Sequence, residues 1–131
     1  MKVLYVCVEN SNRSQMAEAF TRMRGGDRVQ AYSAGSRPSG TVNQKAIDAM
    51  REVGYDLGSH RSKSLEEVPE QSYDFVVTMG CGDDCPWIAA RHHEDWALPD
   101  PENMTPEAFA AVRDDIERRV LDLLARAGED A

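Results

Sequence analysis

The segment that most restricts how this chain can fold is Cys7-Val8-Glu9-Asn10-Ser11-Asn12-Arg13-Ser14. It follows the apolar run Val3-Leu4-Tyr5-Val6 and leads into a helical pattern that begins at Gln15-Met16-Ala17. Residues 2–8 read as a buried strand, so the segment is a tight loop between a strand and a helix N-terminus. Such a junction makes an anion cradle. Backbone N–H groups point inward, and the helix dipole adds roughly half a positive charge. Cys7 stands where the strand ends and Arg13 just before the helix, in a C-x5-R spacing. A guanidinium fork matches two oxygens of a tetrahedral oxyanion, while a thiol at the base of the loop faces its central atom. The same positive field favours the thiolate at neutral pH. Ser14 is placed to cap the helix and to donate its hydroxyl to that thiolate. Taken singly, such a cysteine is ordinarily a small buried hydrophobe and such an arginine a solvated cap; the spacing between strand and helix is what points to chemistry.

The rest of the chain alternates strands with helices. Gln15 to Met23 predicts a helix with Met16, Ala17, Phe20 and Met23 on one face and Gly25-Gly26 at its end. Arg28 to Ser33 predicts a second strand, and Ala34 to Gly40 a long turn rich in Gly, Ser and Pro. Asn43 is placed to cap a second helix that turns Ala46, Ile47, Met50 and Val53 inward and stops at Gly54. Ser64 to Val68 reads as a short helix stopped by Pro69, Tyr73 to Met79 as an apolar third strand, and Glu94 to Leu98 as a short fourth. Thr105-Pro106-Glu107 opens a last helix, with Phe109, Val112, Ile116, Val120 and Leu123 or Leu124 inward and an end near Gly128. This alternation implies an α/β fold: a single doubly wound domain over residues 1–131 with a four-stranded parallel sheet in order 2-1-3-4. The cradle then lies at the carboxyl end of the first strand, where such sheets place ligands.

Two later landmarks fall on the same sheet edge. Gly80-Cys81-Gly82-Asp83-Asp84-Cys85-Pro86 directly follows the third strand. Its thiols read as incidental loop cysteines, as half of a zinc set with His92 and His93, or as redox partners of Cys7. Zinc is disfavoured because adjacent histidines would have to turn onto one ligand side, and no metal is expected. Asp95-Trp96-Ala97-Leu98-Pro99-Asp100-Pro101 offers a carboxyl group for protonating a leaving oxygen, and a turn aspartate is its bland reading. Asp95 is the second candidate for that acid, and His60 reads as a surface or loop residue without a role.

The segment Val6 to Glu18 resembles the low-molecular-weight tyrosine phosphatase superfamily, and more narrowly the thioredoxin-recycled arsenate reductases that share its fold. Ser14-Gln15-Met16-Ala17 is similar to the reductase branch, since the phosphatases usually carry Pro directly after the Ser. The resemblance implies reduction of arsenate to arsenite, with phosphate or sulfate able to occupy the same loop. Catalysis would rest on Cys7, Arg13, Cys81, Cys85 and Asp100. The oxyanion would be bound by Val8, Glu9, Asn10, Ser11, Asn12, Arg13 and Ser14. Cys7 attacks arsenic, Cys81 attacks the Cys7 sulfur, and Cys85 attacks Cys81, leaving a disulfide for thioredoxin. In a helix, side chains four apart have Cβ atoms about 5–6 Å apart, whereas a disulfide needs about 3.8 Å. Oxidation is therefore expected to refold the segment between Cys81 and Cys85. Asp100 resembles the family's Asp-Pro general acid, and Asn10 and Ser11 its loop-holding residues. Glu9 departs from the glycine common there and is expected to point outward. In some relatives a monovalent-cation site lies nearby, where Lys63 can approach. A phosphatase working through a phosphocysteine is the alternative. Against it, Cys81 and Cys85 would have no role, and Glu102-Asn103 stand where aromatics grip a phenyl ring. A redox sensor finds no interaction surface to support it.

Composition sets the remaining bounds. Three cysteines are an odd number, which argues for redox or nucleophilic use over a secreted disulfide framework. With no apolar run of spanning length and no signal-like N-terminus, a cytoplasmic monomer without cofactor is expected. A net charge of −8 makes nucleic acid and anionic membrane poor partners. It does not prevent oxyanion binding, because amides and one Arg act within a few ångströms while distant charges are screened.

Overall fold

The computed structural model describes residues 1–69, 71–80 and 85–129. Four parallel strands, β1 (Lys2–Cys7), β2 (Gln30–Gly35), β3 (Tyr73–Thr78) and β4 (Ala90–Asp95), pair in the order β2-β1-β3-β4, as predicted. The three α-helices are α1 (Arg13–Gly25), α2 (Gln44–Arg51) and α3 (Pro106–Glu129), with single 3₁₀ turns at Gly26–Arg28, Leu57–Ser59 and Leu65–Glu67. Alternation along β1 serves both faces of the sheet. Val3, Tyr5 and Cys7 join the larger core with Met16 and Phe20 of α1, Met50 of α2 and Ile116 of α3. Leu4 and Val6 join a smaller cluster with Val68, Tyr73 and Val76, against which Leu65, Cys85 and Ile88 pack. No described helix is long and apolar enough to cross a membrane.

Register sets where chemistry can occur. Cys7 of β1 pairs with Gly35 of β2, and Val6, Thr78 and Asp95 fall in one row across β1, β3 and β4. All four strands therefore release their loops at one edge. The order reverses at β1, and the loop after β1 sits at that switch point.

Local signals explain most element ends. Asn43 Oδ1 accepts from Lys45 N at 3.0 Å and caps α2, while Thr105 Oγ1 accepts from Ala108 N at 3.2 Å and caps α3. Phe109, Val112, Ile116, Val120 and Leu123 are the buried stripe of α3. Two strands differ from expectation. β2 begins two residues later because Gly26–Arg28 forms a 3₁₀ turn, and it continues through Ala34-Gly35, whose small side chains suit close neighbours better than a turn. β4 spans Ala90–Asp95, not Glu94–Leu98. It is an edge strand with mostly exposed residues, so it carries no apolar alternation. Trp96 and Leu98 are buried, but Leu98 N bonds Trp96 O at 2.7 Å, a tight turn that ends the pairing.

Candidate active site

The loop between β1 and α1 is held open from outside through its carbonyls. Cys7 O accepts from Ser36 N, Val8 O from Arg37 N, Glu9 O from Ser39 N, and Ser11 O from Asn43 N, all at 2.9–3.2 Å. In a trans peptide the next N–H points opposite to the carbonyl, and no cis bond occurs among the described residues. The N–H groups of Val8, Glu9, Asn10 and Asn12 are thereby turned away from that outer segment. Asn10 N–H reaches Cys7 Sγ at 3.2 Å. Asn10 itself takes the left-handed conformation, φ +51°, which its short polar side chain tolerates. Gly35 completes the support: a Cβ there would lie 2.5 Å from Val8 O and 3.0 Å from Asn10 N. Only a residue without a side chain lets β2 come this close.

Cys7 is a free thiol, 3 % exposed, with Ser14 Oγ 2.8 Å from its sulfur. Ser14 is not the helix cap. Arg13 is the first residue of α1, Asn12 stands at the cap position without a side-chain bond, and Ser14 lies inside the first turn facing Cys7. The side chain of Ser11 donates to Thr41 O at 3.1 Å, which ties the loop to the segment before α2. Arg13 Nη1 donates to Met79 O at 2.7 Å and Leu98 O at 2.8 Å. One guanidinium nitrogen thus clasps the loops after β3 and β4, leaving three N–H groups for a bound anion. A cavity is lined by Cys7, Val8, Glu9, Ser11, Asn12, Arg13 and Asp100. The thiol, the arginine and the carboxyl group, though separated in sequence by up to 93 positions, share one space.

Other predicted residues divide clearly. Glu9 is exposed at the cavity rim. Asp100 is exposed, with Oδ1 accepting from Glu102 N at 3.1 Å. Asp95, the second candidate acid, is occupied elsewhere: its Oδ1 accepts from Thr78 Oγ1 at 2.7 Å and Gly80 N at 3.1 Å, fixing the start of the loop after β3. Cys81, and with it the expected refolding between Cys81 and Cys85, lies outside the described residues. Cys85 is half-buried, and its sulfur is in a disulfide. His92 and His93 are successive residues of a strand and face opposite ways; His92 lies against Phe75 and His93 stacks on Trp87. Among the described residues no three His, Cys, Asp or Glu side chains are grouped to hold a metal.

Sequence reasoning missed a polar layer beneath the loop. Ser14, Gln15, Glu18 and Thr21 of α1 are all buried. Glu18 accepts from Ser33 Oγ at 2.6 Å, pairs with Arg22 at 2.9 Å, and has Lys63 Nζ 3.5 Å away. Lys63 therefore does approach the cradle, as a partner of Glu18 and Ser33, and its backbone N–H donates to Asn10 Oδ1 at 3.0 Å. His60 is not the surface residue expected: its side chain is 6 % exposed and bonded to Gln15 and Tyr55. The signal was present as polar residues at 14, 18 and 21, set at helical spacing among Met16, Ala17, Ala19 and Phe20.

A parallel α/β sheet with a thiol, an arginine and a ring of amides at its switch point defines an enzyme class that handles tetrahedral oxyanions through a cysteine nucleophile. Residues 2–131 match the family model described as low molecular weight phosphotyrosine protein phosphatase. The chain belongs to that family. It is 38 % identical to a protein named glutaredoxin arsenate reductase from Synechocystis, over 95 % of this chain and 97 % of the relative. A solved arsenate reductase in the phosphate-binding state, 38 % identical, superposes with a TM-score of 0.87, covering 95 % of this chain and 97 % of that one. A thioredoxin-dependent arsenate reductase of Corynebacterium glutamicum, 28 % identical, superposes at 0.82, covering 99 % of this chain and 63 % of that one.

Proposed function

We propose that the protein reduces arsenate to arsenite through Cys7 and a relay of Cys81 and Cys85. The observation that carries this reading is the convergence of Cys7, Arg13 and Asp100 on one cavity, in a chain similar over almost its whole length to proteins named arsenate reductases. The Cys7 thiolate forms a bond to arsenic, and one oxygen, protonated by Asp100, leaves as water. Cys81 thiolate then attacks the Cys7 sulfur. The electron pair of the sulfur–arsenic bond passes to arsenic, arsenite departs, and a Cys7–Cys81 disulfide remains. Cys85 attacks Cys81, returns Cys7 as a thiolate, and leaves Cys81–Cys85 for a dithiol such as thioredoxin. Two electrons enter arsenic and two leave the thiol pair. A free Cys7 in a chain whose Cys85 is disulfide-bonded is consistent with the state in which this relay ends.

The test couples arsenate to thioredoxin, thioredoxin reductase and NADPH, with a parallel arm on glutaredoxin and glutathione and another on an aryl phosphate. Arsenate-dependent NADPH loss that disappears in Cys81→Ser and Cys85→Ser, with any aryl phosphate cleavage retained, is the expected result. Strong aryl phosphate turnover with none on arsenate would overturn the reading in favour of a phosphatase. The two donor arms decide which dithiol recycles the enzyme.

A further inference from the structure

Glu9 puts a carboxylate into a loop built to hold anions, and the proposed reaction makes no use of it. Its backbone is fixed from outside, where the carbonyl accepts from Ser39 N and from Ser62 Oγ, both at 3.0 Å. The residue is exposed at the mouth of the cavity, a space of about 180 Å³ that Cys7, Arg13 and Asp100 also line. Arg13 is the one cation among the described lining residues, and its Nη1 is committed to Met79 O and Leu98 O. Against it stand two carboxyl groups, Glu9 and Asp100, and the Cys7 sulfur. Cations on the adjoining segments are engaged elsewhere or stand outside the cavity. Lys63 Nζ is 3.5 Å from Glu18, Arg61 pairs with Glu67 at 2.7 Å, and Lys45 Nζ donates to Glu102 O at 2.8 Å. Arg37, on the segment that grips the loop from outside, is exposed and does not line the cavity. A ring of amides with one pinned guanidinium accommodates a single negative charge, and each further charge meets the Glu9 carboxylate.

We propose that Glu9 is a specificity-determining residue: from the rim, its carboxylate selects singly charged, protonated oxyanions, such as the monoanions of arsenate and phosphate, over doubly charged ones, such as sulfate and phosphomonoester dianions. Across several ångströms in a water-like dielectric, the repulsion costs about threefold in affinity for each charge on the ligand. A monoanion thus loses about threefold and a dianion about tenfold, which is a selectivity of about threefold between them. The inference rests on the loop being the oxyanion site proposed above, but not on arsenate being reduced there.

The experiment is calorimetric titration of the full chain with phosphate and with sulfate at low ionic strength, where screening is least. Phosphate carries mainly one charge at about pH 5.5 and mainly two at about pH 8.5. Sulfate carries two at both, so it registers any change in the protein itself. Glu9→Gln is expected to bind sulfate about tenfold more tightly than the wild type at both pH values. For phosphate the gain should be about threefold at the lower pH and about tenfold at the higher. Glu9→Asp keeps the charge and should stay within about twofold of the wild type. Asp27→Asn removes the same formal charge from the exposed turn before β2, at the opposite edge of the sheet, and should leave both affinities unchanged. A loop merely loosened at Glu9 would alter its affinity for both charge forms of phosphate by one factor. The proposal is overturned by such an equal factor, by no gain in Glu9→Gln, by Glu9→Asp behaving as Glu9→Gln, or by Asp27→Asn matching Glu9→Gln. If neither the wild type nor Glu9→Gln binds phosphate at either pH, the oxyanion cradle falls and the inference with it. Binding with the wrong charge dependence overturns the inference alone.

Discussion

Gly35→Ala attacks the cradle without touching any reactive group. The added Cβ would stand 2.5 Å from Val8 O, 3.0 Å from Asn10 N and 3.1 Å from Asn10 Cβ. Ordinary contact begins near 3.4 Å, so the loop must retreat by about 0.9 Å (3.4 minus 2.5) at Val8. Two of the three atoms are backbone and cannot rotate aside. Val8 O is also bonded to Arg37 N at 2.9 Å, and Asn10 N to Cys7 Sγ at 3.2 Å, so retreat strains both. Overpacking of this kind costs about 1–3 kcal/mol, and for a chain of this length that lowers the melting temperature by roughly 4–12 °C. A displacement of nearly 1 Å in groups that orient substrate costs on the order of 100-fold in kcat/KM. Thermal unfolding and the kcat/KM for arsenate in the coupled assay measure the two effects, and phosphate binding by calorimetry reports the cradle's anion affinity directly. Gly128→Ala is the control: it lies in α3 with open space around its Cβ, and it should be neutral or stabilising by up to about 1 kcal/mol. If Gly35→Ala melts within 2 °C of the wild type and binds phosphate within twofold, with those limits set at roughly the error of the assays, the close approach of β2 does not shape the loop.

Ser14→Ala removes the hydroxyl 2.8 Å from the Cys7 sulfur. A hydrogen bond to a charged group contributes about 1.5–3 kcal/mol, so Cys7 alkylation at pH 6 should fall about 10- to 100-fold; a loss under twofold would mean that the hydroxyl does not support the thiolate. Arg126→Ala tests how α3 is fastened to β4. Burial would raise the pKa of Glu94, but hydrogen bonds from Arg126 and Trp96 outweigh it and hold the carboxyl below its ordinary 4.5. A depressed carboxylate contributes its stability above that ordinary value and loses it as pH falls through the lowered one. Urea unfolding should therefore show the variant less stable at pH 7, with the gap closing below pH 4.5. A gap that is constant with pH would refute the role of this ion pair.

Much of the architecture was legible from local chemistry. Apolar runs, caps at Asn43 and Thr105, and the stripe from Phe109 to Leu123 were all readable because each depends on residues a few positions apart. So was the pairing of Cys7 with Arg13, since the loop itself spans both. β4 was misplaced because an edge strand buries little and leaves no apolar period, whereas Trp96 and Leu98 beyond it do.

What only the folded chain decided are meetings between distant segments. That Gly35 had to lack a side chain follows from the parallel register that sets it beside Cys7. That Asp100, not Asp95, faces the cavity follows from which carboxylate the loop after β3 consumes. His60 reads as a loop residue because nothing near it in sequence announces burial; its partner Gln15 lies 45 positions away. Periodicity records which way a side chain turns within its own element, whereas the partner it meets depends on how the elements pack.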